Sequence, residues 1–214
     1  MNLRRTLGIL ALAAINAATA AAQATIQGQV TVARSRPAPV ENKRYSMTAK
    51  GGSPAAAHPL AVVYLEGSFP APASQPVAEM MQQDLAFIPD VLPVQVGTKV
   101  EFPNRDDVEH SVYSTSSAKS FDLGRIAPAE RPVPSQVFDS QGVVTIRCDI
   151  HEHMRAIILV LDTPHFVLSD PAGAYRLDGL PAGRRVLKVW LDSKTTLERT
   201  VELGAGSTLR ADFP

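Results

Sequence analysis

Hydrophobic residues recur along this 214-residue chain in short runs separated by turn residues. Residues 25–32 (TIQGQVTV) alternate apolar and polar side chains, as half-buried strands do, while residues 60–66 (LAVVYLE) are nearly all apolar, which indicates a buried strand. From Leu85 onward strand-like runs arrive about every eight to twelve residues, as LAFIP, VLPVQV, TKVEF, EHSVYS, PSQVFD, GVVTIRC and AIILVLD. This rhythm predicts an all-β protein with a sandwich or barrel of Greek-key type.

The connections between these runs differ in character. Residues 33–58 mix Pro, Gly, Ser and charged residues without periodicity, so we expect a long exposed loop there. A proline-rich stretch, residues 69–76, leads into a short amphipathic segment at residues 79–83. From residue 166 to the C-terminus the strand rhythm returns, with turn signals of the type D-P-A-G and L-P-A-G. The chain therefore divides into several groups of strands.

The first 24 residues have the layout of a secretory signal peptide. Two arginines are followed by the apolar run Leu7–Ala14 and by an A-x-A cleavage site at residues 22–24. The alternative is a retained membrane anchor, but a span needs about 20 strongly apolar residues and polar residues interrupt this stretch. We therefore expect cleavage, no membrane span in the mature protein, and a periplasmic location.

Composition narrows the function classes. The chain has 21 basic and 21 acidic side chains, and removal of Arg4 and Arg5 with the signal takes the basic count from 21 to 19. Without a basic excess, a nucleic-acid binder is not expected. The single cysteine excludes an internal disulfide framework and every zinc site that needs two or more cysteines.

That cysteine lies in a group of residues with metal-ligand chemistry. Cys148, His151 and Met154 follow one another with C-x₂-H-x₂-M spacing on a short polar loop between two apolar strands. His110 stands at the start of another predicted strand, after a turn-like Asn-Arg-Asp-Asp sequence. Two imidazoles, a thiolate and a weak thioether form the ligand set of a blue-copper electron-transfer site. The sequence therefore predicts one copper ion held by these four residues.

Each ligand has a simpler interpretation when taken alone. Cys148 and Met154 fit a hydrophobic core, and His110 and His151 fit a strand end and a loop. An unpaired thiol is a liability in an oxidising compartment, and its ligation to a metal removes that liability. His153 also lies in the loop, either as an exposed bystander or as a substitute ligand.

These residues also carry a resemblance to a known family. Residues 85–104 and the segment Cys148–Met154 resemble a cupredoxin, of the plastocyanin and amicyanin type of blue-copper protein. The resemblance implies that residues 77–162 form a cupredoxin domain with a type-1 copper ion bound by His110, Cys148, His151 and Met154. It also implies single-electron exchange with redox proteins such as a periplasmic dehydrogenase or a c-type cytochrome.

Two positions depart from the family pattern. Many cupredoxins have Asn directly after the first histidine ligand, where its side chain joins the two ligand loops, and this chain has Ser111. Relatives with short loops often have Pro before the loop histidine, and this chain has Ile150, whose backbone N–H is available to the Cys148 sulfur. A second hydrogen bond to the sulfur is expected to raise the reduction potential.

The last part of the chain resembles a different module. Residues 166–191 are similar to the second half of a carboxypeptidase-regulatory-like or transthyretin-like β-sandwich, with Trp190 as a packed aromatic. Strands typical of its first half occur within residues 25–68, so we assign residues 25–68 and 163–214 to this accessory sandwich. Two arrangements remain open. The cupredoxin is inserted into the accessory sandwich, or the two domains follow one another.

Three function classes follow from these residues. The first is a periplasmic carrier of single electrons, and the second is a copper-binding carrier or chaperone without electron transfer. The third is an enzyme, which is not expected, because five histidines with one H-x-H are too few for the additional copper ions of copper oxidases and nitrite reductases. A hydrolase built on Cys148 and His151 lacks an identifiable third group to orient the base.

Overall fold

The structure is a computed structural model that describes residues 23–31, 60–70 and 72–214. These residues contain seventeen strands and no helix, so the all-β prediction is confirmed for them. In this described part of the chain, no helix is long and apolar enough to cross a membrane. The strands are β1 (Ala24–Gln29), β2 (Val62–Leu65), β3 (Val77–Glu79), β4 (Met81–Gln83), β5 (Ala86–Ile88), β6 (Val91–Gln95), β7 (Thr98–Glu101), β8 (His110–Ser116), β9 (Lys119–Ile126), β10 (Ser135–Phe138), β11 (Gly142–Arg147), β12 (Arg155–Leu161), β13 (Phe166–Leu168), β14 (Ala174–Leu180), β15 (Gly183–Trp190), β16 (Thr196–Leu203) and β17 (Thr208–Arg210).

Two of the sequence predictions fall largely outside the described residues. They are the signal peptide, except for its last two residues, and the loop at residues 33–58. Ala24, the final residue of the predicted signal, is the first residue of β1, is fully buried and pairs with Leu180. Processing before Gln23 leaves β1 whole, whereas processing after Ala24 removes its first residue.

Four of the sheets form consecutive layers. The outermost sheet has the order β14-β1-β17, and the next has the order β13-β2-β15-β16. A hydrophobic core between them takes Ile26 from β1, Leu65 from β2 and Leu187 from β15. Strands from before residue 66 and strands from after residue 165 therefore share these two sheets.

The other two layers contain the middle of the chain. A five-stranded sheet has the order β6-β12-β11-β8-β9, and a three-stranded sheet has the order β10-β7-β3. The core that includes Phe102, Phe138 and Ile146 collects residues from both sheets, together with Cys148 and Met154. The predicted copper ligands thus stand at the margin of a well-filled core.

A third apolar cluster joins the two pairs of layers. It consists of Val62 on β2, Leu159 and Leu161 on β12, and Trp190 on β15, all of them buried. Along β12 these leucines alternate with Ile158 and Val160, whose side chains point to the opposite face and lie in the core that contains Cys148 and Met154. Because both faces of β2 and β12 are covered, their sequences are continuously apolar rather than alternating.

Two elements differ from the sequence prediction. The segment at residues 79–83 belongs to two short strands, β3 and β4, and β4 forms a hairpin with β5. Strand β9 was not predicted, because Gly124 and Arg125 interrupt the alternation of its core-facing Phe121 and Leu123 with exposed polar residues. Its pairing with β8 supports the strand that begins at His110.

Candidate metal centre

Three of the predicted ligands come together at one end of the five-stranded sheet. The ligand atoms of His110, Cys148 and His151 all lie within 4.8 Å of one another. The Nδ1 atoms of the two histidines are 3.1 Å apart, and His151 Nδ1 is 3.9 Å from Cys148 Sγ. His110 is fully buried, and Cys148 is 3% exposed. Among the described residues, these three side chains form the one group of His, Cys, Asp or Glu whose ligand atoms lie close enough together to hold a metal ion.

Strand pairing explains why residues so distant in sequence meet. Strands β8 and β11 are antiparallel neighbours, with Arg147 opposite Tyr113. Each step forward on β11 is therefore a step backward on β8, which brings Cys148 and the loop after it alongside the start of β8 at His110. His151 lies in the turn between β11 and β12. The pairing register of β8 with β11 is therefore sufficient to bring the three residues together.

Met154 closes this loop. Its backbone N–H donates to the His151 carbonyl at 2.9 Å, and its side chain is buried in the same core as Cys148. The turn therefore returns the chain to the sheet directly beside the cluster, where β12 begins one residue later. The role of Met154 as a fourth ligand stays a prediction.

Two of the three separations in this group can be compared directly with the bond lengths of a single metal ion. Taking about 2.0 Å for a metal–nitrogen bond and about 2.3 Å for a metal–sulfur bond, as for zinc, one ion reaches two nitrogens less than about 4 Å apart. The same ion reaches a nitrogen and a sulfur less than about 4.3 Å apart. The 3.1 Å between the two nitrogens meets the first limit, the 3.9 Å between His151 Nδ1 and Cys148 Sγ meets the second, and the remaining pair, His110 and Cys148, lies within 4.8 Å. Two ring nitrogens that face each other also require a proton or a cation between them, because their lone pairs repel.

The other ring nitrogen of His110 has its own partner. Its Nε2 atom lies 2.7 Å from Asp106 Oδ2. That carboxylate also accepts hydrogen bonds from the backbone N–H groups of Asp84 to Oδ1 at 2.6 Å and of Leu85 to Oδ2 at 3.0 Å. Burial opposes ionisation of Asp106, but the Leu85 N–H, the His110 ring and the Asp84 N–H outweigh it and hold the pKa of the carboxyl below its usual value.

The sulfur of Cys148 is hydrogen-bonded by the residue that follows His110. The backbone N–H of Ser111 points to Sγ at 3.4 Å. The Ser111 hydroxyl lies 3.7 Å from Sγ, but its single proton is used for the Asp149 carboxylate. Among the described residues, the Ile150 N–H does not donate to the Cys148 sulfur. The increase in reduction potential that was expected from this hydrogen bond therefore has no structural basis.

Ser111 also connects the two ligand segments. Its hydroxyl accepts a hydrogen bond from the backbone N–H of Asp149 at 2.8 Å and donates to the carboxylate of the same residue. Arg125 on β9 lies 3.2 Å from the other carboxylate oxygen. The hydrogen bond from Ser111, aided by the charge of Arg125, holds the pKa of Asp149 below its usual value. A hydroxyl thus makes the connection that many cupredoxins make through an asparagine.

His151 lies between the buried cluster and the protein surface. Burial lowers the pKa of its ring, and the neighbouring rings of His110 and His153 lower it further, against the opposing effect of Asp106. A neutral imidazole is the form that binds a metal. His153 is exposed, with its ring centre 6.2 Å from that of His151, so it lies beside the cluster and outside the three-residue group.

The sequence did not indicate Asp106, which contacts the ring of His110. Asp106 carries a signal in retrospect, because it precedes His110 by four residues within the turn-like Asn-Arg-Asp-Asp segment. The turn itself is held by the buried Asn104, whose amide donates to the carbonyls of Val108 and Ile126. Spacing alone does not indicate that this turn aims a carboxylate at the imidazole.

Comparisons with known proteins give a partial likeness. No protein-family model matches the chain, and no curated protein sequence matches it either. Among solved structures, a purple cupredoxin from Nitrosopumilus maritimus is 22% identical, with a TM-score of 0.35 over 39% of this chain and 98% of that one. A mutant of amicyanin in its Cu(I) form is 16% identical, with a TM-score of 0.37 over 46% of this chain and 97% of that one.

A larger protein shows a similar partial match. The Cu-containing nitrite reductase NirK from Thermus scotoductus SA-01 is 25% identical, with a TM-score of 0.37. The match covers 45% of this chain and 25% of the reductase, so less than half of this chain corresponds to about a quarter of that protein. The similar structures are thus cupredoxins and a copper enzyme, each matched over less than half of this chain.

Proposed function

We propose that this protein carries single electrons by means of one type-1 copper ion held by His110, Cys148, His151 and Met154. The observation that carries the proposal is the convergence of one thiol and two imidazole nitrogens within 4.8 Å at the margin of a hydrophobic core. When bound, copper would supply a reversible Cu(I)/Cu(II) couple. The residues of the chain supply the binding site, its shielding from water and its rigidity.

The donor set favours copper over zinc. Structural zinc sites are closed by four ligands, mostly two or more cysteines with histidine, and this chain has one cysteine. Thiolate and thioether sulfurs favour Cu(I), and imidazoles suit Cu(II) as well. A set that suits both oxidation states is what an electron carrier needs, because the bound ion must be stable before and after each transfer.

The rigidity of the surroundings supports electron transfer rather than copper delivery. His110 is held at Nε2 by Asp106, and Cys148 accepts the Ser111 N–H, so both side chains are fixed by groups of the protein itself. A chaperone that passes its ion to a partner needs ligands within that partner's reach. Here His110 is fully buried and Cys148 nearly so, which favours retention of the ion.

The surface around His151 supports a role as the electron exit. Val108 lies two residues before His110, and Ile150 lies directly before His151. These two residues, which we call the apolar rim, are 41% and 38% exposed although both are large and hydrophobic. Charged side chains of both signs ring the loop, namely Asp149, Glu152 and Arg155. We infer transient docking with a redox protein such as a c-type cytochrome or a periplasmic dehydrogenase, with rates that depend on salt.

Location and domain organisation belong to the same proposal. The signal-like residues 1–24 favour export to the periplasm, where a copper-bound thiol is protected from oxidation. The pairing of β1 with β14 and β17 favours insertion of the copper domain, residues 77–162, into an accessory β-sandwich. We propose no catalytic reaction for the chain.

The test separates an electron carrier from a copper chaperone. Purified mature protein is loaded with one equivalent of Cu(II), passed through a desalting column, and then cycled electrochemically. The proposal predicts one electron per copper, reversibly, with the copper retained in both oxidation states. Retention of Cu(I) alone, with loss of the ion on oxidation, would support the chaperone and contradict the carrier.

A further inference from the structure

The Asp106 carboxylate is fixed from three directions. Oδ1 accepts the Asp84 N–H at 2.6 Å, and Oδ2 accepts the Leu85 N–H at 3.0 Å while it lies 2.7 Å from His110 Nε2. The backbone N–H of Asp106 donates in turn to the side-chain carbonyl of buried Asn104 at 3.0 Å. The carboxylate therefore has a defined position and orientation relative to the imidazole.

The two N–H groups that bind the Asp106 carboxylate belong to a two-residue hairpin turn. Asp84 and Leu85 are the two residues that connect β4 to β5, with Gln83 paired to Ala86. Both have positive φ angles, 55° and 57°, in the left-handed region that non-glycine residues seldom adopt. This conformation turns two consecutive N–H groups toward one carboxylate.

The hydrogen bond to Asp106 determines the proton position on His110. A carboxylate accepts hydrogen bonds and has no proton to donate, so the imidazole must carry its proton on Nε2. In the neutral imidazole, Nδ1 then carries the lone pair. This is the atom that faces His151 Nδ1 at 3.1 Å and belongs to the three-residue cluster.

We infer that Asp106 is a positioning residue that selects the Nδ1 atom of His110 for copper and lowers the reduction potential of the site, with the Asp84–Leu85 turn holding it in place. The inference rests on the proposed function, because it assumes that the bound metal is copper. A negative hydrogen-bond acceptor makes an imidazole a stronger donor. Stronger donation stabilises Cu(II) more than Cu(I), so the potential falls.

A merely structural role of Asp106 makes different predictions. If the carboxylate only fastens the β4–β5 turn to the segment before β8, its removal lowers stability and leaves the tautomer of His110 and the potential unaffected. The matched variants are Asp106→Asn and Asp107→Asn, which remove the same charge from adjacent residues. Asp107 is exposed, whereas Asp106 contacts the ring.

The first readout uses the wild-type protein without metal. Nitrogen NMR of the His110 ring at neutral pH is expected to show the proton on Nε2, and a proton on Nδ1 would overturn the inference. This measurement requires no copper and no folded variant. It therefore decides the tautomer even if the protein fails to form a copper site and the proposed function is wrong.

The second readout uses the copper-loaded variants. Asp106→Asn is expected to raise the reduction potential and to weaken Cu(II) binding by about 10–100-fold, the range seen when such outer hydrogen-bond partners are removed. Asp107→Asn is expected to leave both quantities at their wild-type values. An Asp106→Asn protein with unchanged potential and affinity, or equal shifts in the two variants, would overturn the inference.

Discussion

The hydroxyl of Ser111 accepts a hydrogen bond from the backbone N–H of Asp149 at 2.8 Å, although the two residues are 38 positions apart in the chain. The same hydroxyl donates to the Asp149 carboxylate, and the Ser111 N–H points to the sulfur of Cys148. One residue therefore joins the strand that begins at His110 to the loop that carries the other two members of the cluster. The shape of the site does not depend on a metal ion alone.

Replacement of Ser111 by alanine tests this connection. Ser111→Ala removes the side-chain bonds to Asp149, and the free energy of unfolding of the metal-free protein is expected to fall by about 1–2 kcal/mol. Copper is also expected to dissociate faster, because the two ligand segments are less firmly joined. Chemical denaturation measures the first effect, and transfer of copper to a chelator measures the second.

Ser120→Ala is the control for Ser111→Ala. The Ser120 hydroxyl donates to the Ser114 carbonyl at 3.3 Å on the neighbouring strand, without contact to the cluster. Its removal is expected to leave copper dissociation unchanged. Equal dissociation rates in Ser111→Ala and the wild type would refute the idea that Ser111 joins the ligand segments.

Two buried methionines allow the fourth ligand to be tested. Met154 and Met80 both lie in the core beside the cluster. Met154→Leu is expected to raise the reduction potential, because a weak axial donor that supports Cu(II) is lost. Met80→Leu conserves volume and is expected to change stability by less than about 1.5 kcal/mol while the potential stays the same. Voltammetry of both variants compares them directly, and equal potentials would remove Met154 from the ligand set.

The apolar rim is expected to govern docking. Ile150→Lys places a charge next to His151, and electron self-exchange between two copies of the protein, measured by NMR line broadening, should slow by roughly tenfold. This corresponds to loss of about 1.5 kcal/mol of apolar contact. Val77→Lys is the control, because Val77 is 59% exposed and lies outside the rim. Equal slowing in both variants would indicate a general charge effect in place of a docking surface.

The apolar cluster of Val62, Leu159, Leu161 and Trp190 is expected to stabilise the fold without affecting the copper site. Leu161 is 2% exposed and packs in the group with Trp190. Leu161→Ala should lower the free energy of unfolding by about 2–5 kcal/mol, whereas Val77→Ala should change it by less than about 0.5 kcal/mol. Denaturant unfolding measures both. A Leu161→Ala protein as stable as the wild type would mean that the layers do not depend on this contact.

Most of the strands that were predicted correctly from the sequence have a clear hydrophobic pattern, because one or both of their faces are buried. The runs around β2 and β12 are continuously apolar because both of their faces are covered. Strand β9 was not predicted, although Phe121 and Leu123 alternate with exposed polar residues, because Gly124 and Arg125 interrupt that alternation. The β4–β5 hairpin was not predicted either, because Asp84-Leu85 lacks the Asn-Gly type of sequence that favours two left-handed residues.

In the candidate site, the predicted ligands were found from the sequence, whereas their hydrogen-bond partners were not. The spacing of Cys148, His151 and Met154 is local, so the sequence carries it, and His110 was found through its place before a strand. The partners of these residues are set by tertiary register. Asp106 meets the ring of His110 because a turn in another hairpin aims it there, and Ser111 meets Asp149 because β8 lies beside β11. No local pattern indicates these contacts.

The visible and EPR spectra of the protein with one equivalent of Cu(II) test the central claim most directly. We predict an intense blue absorption from charge transfer between the Cys148 thiolate and Cu(II) in the wild type. The band should be lost in Cys148→Ser and in His110→Ala, and retained in His153→Ala. A wild-type protein that stays colourless with Cu(II), or a band that survives in Cys148→Ser, would contradict the assignment of this cluster as a copper site for electron transfer.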